Sequence, residues 1–136
     1  MTDDITLNKS AIIRRCLARV AEEFQHDPSR LDNFTVQDAV VLNLLRACES
    51  AIDLAMHQVA DRRLGIPQQS RDAFDLLMQQ GLLTPATANA MKNMVGFRNI
   101  AVHSYQQLQR PILEAILSKH LNDFESYLGE IEALRS

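Results

Sequence analysis

At 136 residues, with 46% hydrophobic and 23% charged residues, the chain is long enough to bury the core of one domain without disulfide support. Its net charge is −3, and glycine and proline occur four times each, which excludes a disordered composition and an overall basic attraction to nucleic acid. The apolar stretches are shorter than the ~20 residues that span a membrane, and the acidic N-terminus does not resemble a signal peptide. We expect one cytoplasmic domain over residues 1–136.

Two helices are predicted in the N-terminal half. Apolar residues at three- and four-residue steps predict the first over residues 5–25, and residues 26–33 interrupt it. The apolar line of this helix consists of Ile5, Ile12, Cys16, Val20 and Phe24, with Ile13 and Leu17 beside it. Thr35 opens a long second helix, with Asp38 three positions later as a weak capping box, and Gly65 ends it.

Three further helices are predicted in the C-terminal half. Ser70 caps a short helix over residues 71–80, and Thr84 followed by Pro85 opens a helix that runs toward Val102. Pro111 opens the last helix, with apolar residues at Ile112, Ile116, Leu117, Leu121, Phe124, Leu128 and Ile131. Short connections favour antiparallel neighbours, so the predicted fold is all-α, an up-and-down bundle of four main helices plus one short helix.

The segment 96–105, with the sequence GFRNIAVHSY, carries the most chemical information. Arg98 can hold a phosphate with its fork of donors, His103 can move a proton at cellular pH, and Tyr105 adds a phenol. This combination suits chemistry on a phosphodiester. Because the chain is acidic overall, contacts to RNA have to come from local arginine, and eleven of the fourteen Lys and Arg residues are Arg.

The spacing of these residues constrains how they can meet. At about 100° per residue, an unbroken helix would align Arg98 with Tyr105 and turn His103 about 140° away from Arg98. One helical face therefore cannot present all three side chains. Two arrangements resolve this: the helix ends near Val102 and the following turn swings His103 back, or a second subunit completes the site.

Each of these residues also has a structural explanation. Arg98 could cap a helix C-terminus, where cations are favoured, and His103 could be a hydrogen-bonded histidine at a helix end. Tyr105 could cover the core, and Asn99 could turn the chain or steady a scissile phosphate. Gly96 costs up to about 1 kcal/mol relative to alanine inside a helix, so we expect a helix or subunit to approach closely there.

Other candidates are left open by the sequence. Asp53 could pack between helices or hydrogen-bond the site arginine. Arg62 and Arg63 could stabilise the C-terminal end of the second helix through its dipole, or they could extend a phosphate-binding surface. Cys16 and Cys48 are expected to be reduced core thiols. The sequence has no glycine-rich phosphate loop, zinc-type cluster or paired carboxylates, so it predicts neither a metal site nor a cofactor.

The Arg-x4-His-x-Tyr spacing resembles the active-site signature of the HEPN ribonucleases, and the neighbouring residues resemble their HepT toxin branch. The likeness extends over nearly the whole chain. It includes the helix order, the long second helix, the segment 70–83 and the motif itself. The resemblance implies a metal-independent endoribonuclease that cleaves RNA through 2′-OH attack and acts as the toxin of a type II or type VII-like toxin–antitoxin pair.

The resemblance also implies roles for the motif residues and for partners. Arg98 and His103 would be catalytic, and Tyr105 would be the modified or substrate-contacting residue. Asn99, which the resemblance does not assign, is expected from its own chemistry to support the substrate. Two protomers would form a homodimer with the active-site cleft at their interface. The partner would be a minimal nucleotidyltransferase (MNT) antitoxin that can transfer AMP to Tyr105, giving O-AMP-tyrosine. The alternative is a non-catalytic helical companion of a nucleotidyltransferase, in which the same residues bind a nucleotide phosphate.

Overall fold

The computed structural model of the protein describes residues 3–134, which form a helical bundle. The α-helices are α1 (Asp4–Phe24), α2 (Phe34–Asp61), α3 (Ser70–Gln79), α4 (Pro85–His103), α5 (Arg110–Ala115) and α6 (Leu121–Glu132). Short 3₁₀ turns cover Pro28–Asp32 and Tyr105–Gln107, and a π-helical segment, Ile116–His120, joins α5 to α6. Helix α5, the π-helical segment and α6 follow one another without a gap and together form the last main helix. The predicted bundle of four main helices and one short helix is therefore confirmed.

The long helix α2 lies at the centre of the bundle and packs against α1, α3 and α4. It has 28 residues and is about 42 Å long. Its N-cap is Asn33, which accepts hydrogen bonds from the backbone N–H groups of Thr35 and Val36, so the prediction that Thr35 begins the helix was wrong. Asp38 consequently has no capping role and is free to bind elsewhere.

The first helix is capped one residue earlier than its apolar pattern suggests. Asp3 accepts a hydrogen bond of 2.7 Å from the backbone N–H of Thr6. The buried line of α1 is Thr6, Ser10, Ile13, Cys16, Val20 and Phe24. The predicted line was thus wrong at its start, because Ile5 is 49% exposed and Thr6, which accepts a hydrogen bond from Gln58 at 3.0 Å, takes the inward position.

Glu130 of α6 fixes the start of α4. Its carboxylate accepts hydrogen bonds from the backbone N–H of Thr84, at 2.8 Å, and from the hydroxyl of Thr87. Thr84 in turn caps the helix by accepting from the Thr87 N–H at 3.2 Å, as predicted, and Pro85 occupies the first turn. The start of α4 is therefore held against α6 by Glu130, and the rest of α4 carries the motif.

One hydrophobic core fills the bundle, with Phe74 and Tyr127 in edge-to-face contact at 5.6 Å and the Tyr127 hydroxyl donating to the carbonyl of Ala51. Cys16 and Cys48 are buried free thiols, as predicted. Burial raises the pKa of Cys16 and raises that of Cys48 to about 12, so both stay protonated. Within residues 3–134, none of the helices has the length and apolar character needed to cross a bilayer.

Candidate active site

The helix that carries the motif continues through His103. Helix α4 ends at that residue, and Ser104, with φ −147° and ψ 46°, terminates it while its N–H donates to the carbonyl of Ile100. The predicted ending near Val102 is therefore confirmed to within one residue, but the predicted turn that swings His103 back toward Arg98 was wrong, because His103 still belongs to the helix. Helical geometry keeps Arg98 and His103 about 140° apart around the axis and ~7.5 Å apart along it.

The Arg98 guanidinium faces inward, toward α2 and the start of α3. Its Nη2 donates to the hydroxyl of Ser70 at 2.7 Å, and its Nη1 lies 3.4 Å from Oε1 of Glu49. The side chain is only 20% exposed, and its Nε is buried without an acceptor among the described residues. Burying a charged donor without a partner is costly. Because this Nε is inaccessible, an anion can reach Arg98 only through the Nη groups, which now contact Ser70 and Glu49.

His103 occupies the opposite situation on the outer face of α4. It is exposed and its ring has no hydrogen bond to a described residue. Asn99, one turn earlier, is half-buried and lies on the same side as His103, since residues four apart in a helix are neighbours. Among the predicted site residues, Asn99 and His103 are therefore the pair that one helical face presents together.

Tyr105 lies beyond the helix end, in the 3₁₀ turn Tyr105–Gln107. Its hydroxyl donates to Oδ1 of Asp38 at 3.2 Å, and the residue is 44% exposed. Burial, followed by the hydrogen bond to the Asp38 carboxylate, raises the pKa of Tyr105 above its ordinary value. The phenol is therefore protonated at neutral pH and hydrogen-bonded to a carboxylate that can accept its proton.

The arginine and the tyrosine are attached to different points of α2. Asp38 and Glu49 are eleven residues apart, which corresponds to ~16 Å along the helix. Because α4 ends before Tyr105, the tyrosine does not align with Arg98 as it would in an unbroken helix. A single chain consequently presents an inward guanidinium, an outward imidazole and a separate phenol, and does not bring all three to one point.

Sequence reasoning missed the side chains that hold the motif. Ser70 and Asp38 were both interpreted as local helix caps, whereas Ser70 binds Arg98 and Asp38 binds Tyr105. The cap of α3 is Gln69, in a capping box with Asp72. Glu49, the ion-pair partner of Arg98, carried no signal in the sequence.

The distribution of acidic residues along the sequence does point to the region of the motif. All seventeen Asp and Glu residues lie outside residues 76–113, where an even distribution would place about five. The acid-free segment contains Lys92, Arg98, His103 and Arg110, and it includes all of α4. The segment itself is free of acids, but its Lys and Arg residues pair with carboxylates of other segments: Lys92 with Asp75, Arg98 with Glu49, and Arg110 with Asp32 and Glu114.

The remaining open candidates are partly decided by their contacts. Asp53 pairs with Lys9 at 3.2 Å, so it does not serve as the acceptor for Arg98. Arg62 and Arg63 lie more than twelve residues beyond Glu49, ~20 Å along α2, and Arg62 donates to Gln58 at 2.9 Å. Their distance from Glu49 separates them from Arg98 within one chain.

Gly96 allows a close approach within the chain, but by a side chain. A Cβ atom at this position would lie 3.0 Å from Nη2 of Arg71, which reaches across from α3. The sequence predicted that a helix or a subunit approaches closely at Gly96, and within the chain α3 does so through the guanidinium of Arg71.

Comparison with known proteins identifies the family. The family model described as "Ribonuclease HepT-like" matches residues 10–131. The mRNA nuclease HepT of Shewanella oneidensis is 45% identical over 131 residues, which cover 96% of this chain and 98% of that protein. The chain belongs to the HepT-like ribonuclease family. A putative RNase of Archaeoglobus fulgidus is 26% identical over 83% of this chain and 90% of its own length.

The same family appears among solved structures. The tri-AMPylated HEPN toxin of Shewanella oneidensis, solved in complex with an MNT antitoxin, matches with a TM-score of 0.92 and 46% identity, covering 98% of this chain and 100% of the toxin chain. These matches confirm the HEPN-like fold and the identification of this chain as a HepT-like ribonuclease toxin. The endoribonuclease interpretation is confirmed over the non-catalytic companion.

Proposed function

We propose that Arg98 and His103 are the catalytic residues of this HepT-like ribonuclease and that RNA is cleaved through its own 2′-hydroxyl. In this reaction a bond forms between the 2′-oxygen and phosphorus while the P–O5′ bond breaks, leaving a cyclic phosphate and a 5′-hydroxyl. The observation that carries the proposal is the location of both groups at the end of one helix, inside the acid-free segment 76–113.

Each residue has a defined task in this reaction. Nη1 of Arg98 has only a 3.4 Å pairing with Glu49, so the guanidinium can exchange that contact for the phosphate and offset the charge that grows on it in the transition state. An imidazole gains or loses a proton near neutral pH, so exposed His103 can accept the 2′ proton or donate one to the leaving 5′-oxygen. Asn99, on the same face as His103, supports the bound phosphate.

A homodimer is the arrangement that lets these residues act together. Within one chain Arg98 faces inward and His103 faces outward, and the helix between them is unbroken. A two-fold axis repeats every contact, so the Arg98 of one copy can approach the His103 of the other at both ends of the interface. We therefore propose a cleft between two copies of this chain, with RNA bound in it.

We further propose that an MNT antitoxin silences this chain by transferring AMP to Tyr105. The Shewanella oneidensis relative is described as tri-AMPylated and in complex with such an antitoxin. The Tyr105 oxygen would attack the α-phosphorus of ATP, pyrophosphate would leave, and Asp38, which already accepts a hydrogen bond from the hydroxyl, would take the proton. The product carries a phosphodiester anion, the same charge that the RNA backbone brings to the cleft.

Purified protein incubated with total RNA provides the test of the nuclease proposal. Wild-type protein is expected to cut RNA without added metal and to leave DNA intact, because DNA lacks the 2′-oxygen. Arg98→Ala and His103→Ala should each lower the rate by about 10²-fold or more, in variants that thermal unfolding shows to be folded. Full cleavage by either variant would overturn the assignment. We propose that the protein acts in the cytoplasm. Expression of the wild type in cells should therefore arrest growth, and the same variants should relieve that arrest.

A further inference from the structure

The outer face of α4 carries a second guanidinium, which comes from α3. Nε of Arg71 donates to the carbonyl oxygen of Lys92 at 3.3 Å, and its Nη2 lies 3.0 Å from the point where a Cβ of Gly96 would be. The guanidinium therefore rests on the surface of α4 across one helical turn. A Cβ at position 96 would make a tight contact with the end of this side chain.

This guanidinium lies on the same side of α4 as His103. Gly96 and His103 are seven residues apart, which in an α-helix corresponds to a rotation of about 20° and a rise of ~10.5 Å. Arg98, by comparison, is turned about 140° from His103. Within one chain, the arginine that shares a face with the exposed imidazole is thus Arg71.

The charge of Arg71 is not neutralised by the carboxylates around it. Arg71 forms no ion pair with the described residues, whereas Arg14, Arg19 and Arg110 all do. The two nearest acids along α3 are engaged elsewhere. Asp72 accepts from the backbone N–H groups of residues 68 and 69, and Asp75 pairs with Lys92 at 2.8 Å.

We propose that Arg71 is a phosphate-contacting residue of the RNA-binding surface, holding a backbone phosphate next to the one that is cut. The half-buried side chain is fixed by a main-chain contact and keeps the rest of its planar fork for an anion. Such a contact positions the strand and carries no base information, so it serves RNA and DNA alike. The inference rests on the proposed function, because it uses the His103 face as the place where the strand is cut.

Equilibrium binding to a short single-stranded RNA of mixed sequence, in the cleavage-deficient His103→Ala background, tests this role. Adding Arg71→Gln should weaken binding about tenfold and reduce the slope of log K against log salt by about 0.7, the value for one phosphate contact on a single strand. DNA of the same sequence should lose affinity by the same factor. Arg71→Lys keeps the charge but not the fork, so it should keep the slope and lose less affinity.

Arg15→Gln is the matched control, because Arg15 is an exposed arginine without an ion pair among the described residues, on α1. It should change affinity less than twofold. Equal losses for Arg15→Gln and Arg71→Gln, or no loss for Arg71→Gln, would overturn the role of Arg71. If Arg71→Gln lowers the unfolding temperature markedly, Arg71→Lys decides the question, and unchanged affinity in that variant overturns the proposal. Cleavage by the wild type is measured separately, so failure of the nuclease proposal can be distinguished from failure of the Arg71 proposal.

Discussion

The arrangement of Arg98 and His103 predicts that active sites are shared between two copies of the chain. If each site combines Arg98 of one copy with His103 of the other, a heterodimer of Arg98→Ala and His103→Ala subunits keeps one intact site of two. Both parents are expected to be at least about 10²-fold impaired. The purified heterodimer should therefore recover about half of the wild-type rate, and an unselected equal mixture about a quarter.

A second heterodimer supplies the matched control. Pairing a wild-type subunit with an Arg98→Ala/His103→Ala subunit leaves one Arg98 and one His103 in the assembly, but on the same chain. A shared site predicts that this heterodimer is inactive, whereas a site built within one chain predicts about half activity. The two heterodimers can be isolated by different affinity tags and assayed on the same RNA.

The opposite pattern of activities would refute the reasoning. If the wild-type/double-variant heterodimer retains half activity while the Arg98→Ala/His103→Ala heterodimer is inactive, each chain supplies its own pair. The 140° separation would then have to be closed by movement of the Arg98 side chain away from Ser70 and Glu49. Cleavage by a protein that light scattering finds to be monomeric would contradict the shared site equally directly.

Three further predictions concern the tyrosine and the glycine of the motif. Tyr105→Phe should leave RNA cleavage within about threefold of wild type and abolish silencing by the antitoxin, checked by co-expression and by mass spectrometry for AMP; continued silencing would contradict Tyr105 as the acceptor. Asp38→Asn should lower the pKa of Tyr105, because the carboxylate contributes to raising it, and the phenolate absorbance of Tyr105 should appear at lower pH. That signal is clean because the chain lacks Trp and its only other tyrosine, Tyr127, is fully buried. Gly96→Ala should raise the free energy of unfolding by up to about 1 kcal/mol through helix propensity, since the Cβ meets only the flexible end of Arg71. A decrease in the free energy of unfolding would mean that the contact with Arg71 is rigid.

Local rules found the ends of most helices. Thr84 and Pro85 begin α4 as predicted, and Gly81, with φ of 73°, follows the end of α3 as expected of a residue that tolerates the left-handed region. The same rules failed at Ser70 and Asp38, which have the chemistry of capping residues but bind partners 28 and 67 positions away. A cap motif describes a residue's neighbours in sequence, and it cannot register a contact that exists only after the bundle has formed.

The candidate site shows the same division between local and long-range information. The spacing of Arg98, His103 and Tyr105 was sufficient to predict the ribonuclease family and the rotation between the first two residues. It was not sufficient to predict that α4 includes His103, because Ser104 is an ordinary residue that ends the helix through its backbone conformation. The π-helical segment Ile116–His120 likewise could not be predicted from a sequence pattern, since its residues differ little from those of the α-helices on either side.

The proposed RNA binding and the proposed transfer of AMP to Tyr105 both bring a phosphate to an acidic protein, and the separation of charge along the chain bears on both. Two copies that meet through α4 would bring two acid-free segments together along the proposed interface. Glu49 and Ser70 hold each Arg98 in position, and both are hydrogen-bonding partners that a phosphate can replace. The phosphate of an AMP group on Tyr105 would bring to this interface the same charge as the RNA backbone. Because Tyr105 binds Asp38, ~16 Å along α2 from Glu49, such an AMP would compete with the RNA strand for the proposed cleft as a whole and not for the Arg98 of its own chain.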